Sequence, residues 1–64
     1  MDRDHDRLVD ELPEQLAVAT RLHEAGQTDD VIGLALGIPP QSVPMVLKVA
    51  RLKLTALSED HPVP

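Results

Sequence analysis

Apolar residues in the second half of the chain fall into the spacing of two crossed helices. Ile32 and Leu36 lie one helical turn apart, and after Gly37 come Ile38, Val43 and Leu47, a pattern that closes two helices over a third. Thr28 is placed to cap the first of these helices, with Asp29 and Asp30 in its first turn facing the positive end of the helix dipole. Gly37 ends it, because glycine reaches left-handed backbone angles without a steric penalty. A glycine inside a helix costs roughly 1 kcal/mol against alanine. Gly33 therefore predicts a close backbone approach where the two helices cross.

The segment before this motif reads as a further helix. Pro13 suits a first helical turn, where its missing N–H has no partner to lose, and Gly26 stops the helix after about Ala25. Leu12, Leu16, Ala19, Leu22 and His23 lie near one face of it. Residues 1–11 read as an acidic arm or short helix with Leu8 and Val9 as its apolar residues, and residues 58–64 as a polar, flexible tail. The chain is thus expected to be all-α, a small three- to four-helix bundle whose domain proper spans residues 12–57.

The last helix has two apolar faces. Val43, Leu47, Ala50, Leu54 and Leu57 form the stripe expected to face the core. Met45, Val49, Leu52 and Ala56 repeat on the opposite side, with Lys48 beside them. A helix apolar on both sides needs cover on both. Either the N-terminal arm lies over the second stripe through Leu8 and Val9, or a partner or a second copy of the chain does. Pro44 delays the start of this helix to the neighbourhood of Ser42–Pro44 and biases Val43 toward extended angles, so the turn holding Pro39 and Pro40 becomes longer and stiffer.

Composition sharpens this picture. At 64 residues there is room for one small domain, and with no Phe, Tyr or Trp the core is built from aliphatic residues, so self-association would help. The net charge is −5, but from Val31 to Ser58 the only charged residues are Lys48, Arg51 and Lys53. That asymmetry can orient a protein on a polyanion; equally, the cations complement the negative end of their own helix. There is no cysteine, and no apolar run approaches the roughly 20 residues that cross a bilayer. A cytoplasmic protein without a membrane partner is the expectation.

The run Leu12-Pro13-Glu14-Gln15, then Arg21-Leu22-His23-Glu24-Ala25-Gly26, Thr28, Ile32, Leu36-Gly37-Ile38 and Val43 to Leu54 resembles region 4 of bacterial sigma-70-type factors. Leu36-Gly37-Ile38-Pro39-Pro40, Ser42-Val43, and then Leu47, Ala50, Arg51 and Leu54 carry the most specific part, which is shared more loosely with helix-turn-helix domains of response-regulator type. The resemblance covers residues 8–57. It implies a helix-turn-helix fold, binding of a promoter element through the second helix of the motif, and docking on RNA polymerase. Nothing resembles a promoter-melting region, so a stand-alone module is expected.

Carried over residue by residue, the resemblance leaves Gln41, Ser42, Lys48 and Arg51 as DNA contacts. Gln41 could read an adenine edge, Lys48 a guanine, and Ser42 and Arg51 could hold phosphates. The neighbouring family contact positions hold Pro44, Met45, Val46 and Val49, which do little beyond touching a thymine methyl.

Candidate chemistry is sparse. His5, His23 and His61 are scattered without metal-ligand spacing, and no nucleophile elbow or phosphate-binding loop occurs. Neither an enzyme, a cofactor, a metal nor a small-molecule substrate is expected. The reading named first is a small transcription regulator binding duplex DNA through the helix that starts near Ser42. The alternative is a protein-interaction module that keeps the sigma-like scaffold and uses Pro44, Met45, Val49, Leu52 and Ala56 to dimerise or to bind polymerase, a sigma factor or another regulator.

Overall fold

A computed structural model describes residues 3–60 of the chain. The protein is all-α: α1 (Arg3–Asp10), α2 (Glu14–Glu24), α3 (Asp29–Leu36), a 3-10 turn (Pro40–Ser42) and α4 (Val43–Asp60) form a small bundle, with no strand among the described residues. Central α2 packs against α3 and α4, and α1 lies on α2 and α4. No single helix among the described residues is long and apolar enough to cross a membrane.

Local chemistry accounts for the element boundaries. Pro13 sits just before α2 with ψ 146°, outside the helix rather than in its first turn, and its carbonyl accepts the Ala17 N–H at 2.9 Å. Gly26, at φ 85°, closes α2: its N–H donates to His23 O and the Gln27 N–H to Leu22 O, a paired arrangement that satisfies carbonyls the helix leaves open. The same pairing recurs at Gly37 (φ 72°), where Gly37 N–H bonds Leu34 O and Ile38 N–H bonds Gly33 O. Thr28 caps α3, its hydroxyl accepting the Val31 N–H at 3.3 Å.

Gly33 does have a close neighbour, but it is the turn rather than a crossing helix. A Cβ at this position would stand 2.8 Å from Ile38 O and 3.3 Å from the Cα and N of Pro40. The absent side chain lets the chain fold back over α3 before α4 starts. Between Asp29–Leu36 and Pro40–Glu59 the chain bends by 99°.

Pro44 falls at the second position of α4, where its missing N–H costs nothing. Val43 before it is nevertheless helical (φ −61°, ψ −43°), against the extended angles expected of a residue preceding proline. The Val43 N–H bonds Pro40 O and its side chain is fully buried, and these gains outweigh a steric bias that is a preference rather than a prohibition.

Two apolar clusters make the core. Ala19, Ile32 and Val43 are buried together, with Leu22, Leu36, Ile38, Val46 and Leu47 packed against them, which joins α2, α3 and α4. Val9, Leu12, Ala17 and Ala50 form the second, with Leu16, Leu54 and Leu57 around it, which joins α1, α2 and α4. Thr20, the one buried polar residue among those described, donates its hydroxyl to Leu16 O at 2.8 Å. Arg21 and Asp10 form an ion pair, and the His5 ring N–H donates to Glu24 Oε2 at 2.5 Å, so two polar contacts also tie α1 to α2.

At the N-terminal end residues 3–10 form a short helix, one of the two forms expected there, and it docks into the core through Val9. Ser58 to Asp60 extend α4 into the segment expected to be a flexible tail, and the rest of that tail, with His61, lies outside the described residues.

Candidate functional site

The inward stripe of α4 lies where its spacing puts it. Val43 and Ala50 are buried and Leu47, Leu54 and Leu57 half-buried. With about 100° between successive residues, the opposite side of the helix carries Met45, Leu52 and Ala56 at its centre, Val49 at one edge, and Lys48 and Pro44 toward the other. Met45 is 63% and Leu52 61% exposed, both large apolar side chains facing solvent. Pro44 and Ala56 are exposed as well, and Val49 is half-buried.

The N-terminal segment does not cover this stripe. Val9 is buried against Ala50 and Ala17, on the inward side of α4, so the segment that could have hidden the second apolar face docks on the core instead. Docking there completes the core; docking on Met45 and Leu52 would leave Ala17 and Ala50 open to water.

Of the residues expected to contact DNA, Lys48 and Arg51 lie three residues apart on α4, about 60° from each other around the helix, and Gln41 and Ser42 belong to the turn before it. Gln41 is exposed in the 3-10 turn, and Ser42, at the end of that turn, is half-buried and donates its N–H to Pro39 O at 3.0 Å. Lys48 is exposed beside the apolar stripe. Arg51 turns to the α1–α2 side and lines a groove of about 170 Å³ with His5, Thr20, His23, Glu24, Leu47 and Leu54. Lys53 projects on the far side of the stripe from Arg51. Among the described residues Lys48, Arg51 and Lys53 form no ion pair. Val46, where the sigma-like resemblance implied a DNA contact, packs against the α2–α3–α4 cluster.

Comparison with models of known protein families, with curated proteins and with solved structures gives no match. The surface is therefore read from its own chemistry.

That surface includes residues the sequence reading passed over. Leu34 is 85% exposed and Val31 42%, and Ala35 is exposed beside them on the outer side of α3. The signal was present: Val31 to Leu36 is apolar at every position, more than the buried pair Ile32 and Gly33 can use. His23, expected near the packed face of α2, is exposed instead at the rim of the groove. His23 lies three residues after Thr20, on the same side of α2 but in its last turn.

Among the described residues no three His, Cys, Asp or Glu side chains gather where a metal ion could sit. The groove beside Arg51 is half-open and mostly apolar, with Leu47, Leu54 and Thr20 beside the exposed His23, Glu24 and Arg51. Such a surface can dock a side chain.

Proposed function

We propose that this chain is a small cytoplasmic protein-interaction module on a helix-turn-helix scaffold, and that it works in transcription by docking a protein on the outer face of α4. The single observation behind the docking is the exposure of Met45 and Leu52 on a helix whose other side is already packed. Contiguous apolar surface on a small domain marks an interface, and methionine adapts well to a partner's shape. The scaffold reading draws on the 99° bend between the Asp29–Leu36 and Pro40–Glu59 segments, within the range of about 90–120° for helix-turn-helix pairs. The transcriptional setting rests on the resemblance of residues 8–57 to sigma region 4, and the cytoplasmic setting on that resemblance together with the lack of cysteine.

Capture and sedimentation of the wild type beside Met45→Lys and Val49→Asp test the reading. Loss of a complex or an oligomer with an unchanged helical spectrum supports it. Unchanged sedimentation and unchanged capture would remove it.

A second reading, DNA binding through Gln41, Ser42, Lys48 and Arg51, is favoured by the exposed, unpaired Lys48 and Arg51. Against it stand the net charge of −5, the apolar side chains at the positions nearest a groove, and the divergence of Arg51 from Lys53 around the helix. No measurable affinity for duplex DNA at low salt would eliminate it.

A further inference from the structure

Accepting the protein-docking reading, we infer that the occupant of the α4 face is an amphipathic helix of a partner protein whose apolar seam is flanked by Asp and Glu. This names an apolar stripe bordered on both sides by unpaired lysines, in a protein that is otherwise acidic.

Length sets the kind of occupant. From Met45 to Ala56 the stripe runs about 17 Å along the helix axis, three turns. Its width is one side-chain row, with Val49 at the edge. A standard interface between folded domains takes roughly 800 Å² from each partner. Four side chains on one helix fall well short of that, whereas a helix laid along a stripe uses anchors at this spacing.

Charge sets its chemistry. Lys48 stands on one side of Met45 and Leu52, and Lys53 on the other side, next to Val49. Neither is paired among the described residues. Glu59 is the acidic group on the exposed side of α4 among residues with described side chains, and it lies beyond Ala56, past the end of the stripe. A partner helix with carboxylates flanking its seam meets both lysines as their solvation is reduced, which gives selectivity as well as attraction.

The same charges disfavour a second copy of this chain. In an antiparallel pair of α4 helices with Val49 against Leu52 and Met45 against Ala56, the two Lys48 lie on one side of the seam and the two Lys53 on the other, each pair about 7.5 Å apart along the axis, so like charges face each other on both flanks. Duplex DNA would satisfy the lysines but leave Met45, Leu52 and Ala56 against a polar groove.

The test is selection from a displayed library of helical peptides with a fixed leucine seam and randomised flanking positions, using the full-length protein as bait. Expected are binders enriched several-fold in Asp and Glu at the flanks, lost on Met45→Lys or Leu52→Lys bait. Lys48→Glu with Lys53→Glu should weaken the best binder about tenfold or more, and favour Lys- and Arg-flanked sequences instead. Seam-dependent binders with neutral or basic flanks would overturn the acidic partner while leaving protein docking intact. So would sedimentation of the wild type as a dimer that Met45→Lys dissolves. No seam-dependent binder, combined with tight binding to duplex DNA, would overturn both the partner class and the reading it rests on. Circular dichroism of each variant confirms that the bait is folded.

Discussion

Val9 of α1 and Ala50 of α4 are buried in one cluster, each 1% exposed, so the N-terminal helix lies on the same side of α4 as the rest of the core. The consequence is on the opposite side, where Met45 and Leu52 stay exposed, with no described residue placed over them. Replacing Val9 by Asp puts a carboxylate into that cluster without a partner. We expect a loss of about 2–3 kcal/mol in urea unfolding and faster proteolysis near residue 10. The exposure of Met45 to oxidation should be unchanged.

Two neighbours on α3 should behave in opposite ways. Ile32 is fully buried between Ala19 and Val43, so Ile32→Ala is expected to cost roughly 2–5 kcal/mol. For a chain of this size, with a total stability of roughly 3–10 kcal/mol, that is a large share of the whole. Leu34 is exposed, and Leu34→Gln should change stability by about 0.5 kcal/mol or less while improving solubility. Thermal melts of the two variants side by side check this.

Gly33→Ala should destabilise the protein even though alanine is the better helix former. The new Cβ meets Ile38 O at 2.8 Å and Pro40 Cα at 3.3 Å, and both belong to backbone that cannot swing away. The turn has to shift, at about 1–3 kcal/mol net of a propensity gain near 1 kcal/mol. Gly37→Ala carries a different penalty, of roughly 1–2 kcal/mol, because its φ of 72° is strained for any residue with a Cβ while nothing crowds the site. Gly37→Asn should recover part of that loss, whereas Gly33→Asn should not. Denaturant midpoints separate the two cases.

The polar contacts between α1 and α2 should matter little. Arg21 and Asp10 are more than half exposed, as pairs worth about 0–1 kcal/mol are. Asp10→Asn is expected to lower the melting temperature only slightly, and less at high salt than at low.

The helices and most of the core were legible in the chain because they depend on local chemistry. Thr28, Gly26 and Gly37 act through their own backbone and nearest neighbours, and the stripe from Val43 to Leu57 follows from a 3.6-residue period. Where α1 docks was not legible, since Leu8 and Val9 could equally have served either face of α4, and the choice depends on the small residues Ala17 and Ala50 that pack with Val9. Nor did Gly33 reveal which backbone approaches it. The outer apolar face of α3 went unread for a different cause: in Val31-Ile32-Gly33-Leu34-Ala35-Leu36 every residue is apolar or glycine, so no polar residue marks Val31, Leu34 and Ala35 as the solvent side. On α4, by contrast, Lys48 and Lys53 mark the solvent side, and so Met45, Leu52 and Ala56 could be recognised as an outer stripe.

If duplex DNA were the ligand, Lys48→Ala and Arg51→Ala would each remove about one unit from the slope of log affinity against log salt. The net charge of −5 and the apolar Met45, Val49 and Leu52 on the outer face of α4 lead us to expect no such pair of losses in a filter-binding or anisotropy titration.

The central claim, that the outer face of α4 holds a protein, is met most directly by a photo-crosslinking side chain in place of Leu52, irradiated in living host cells. The account predicts a discrete protein adduct that disappears when Met45→Lys is added in the same chain. Adducts to DNA, or no adduct while the protein is folded and abundant, would contradict it.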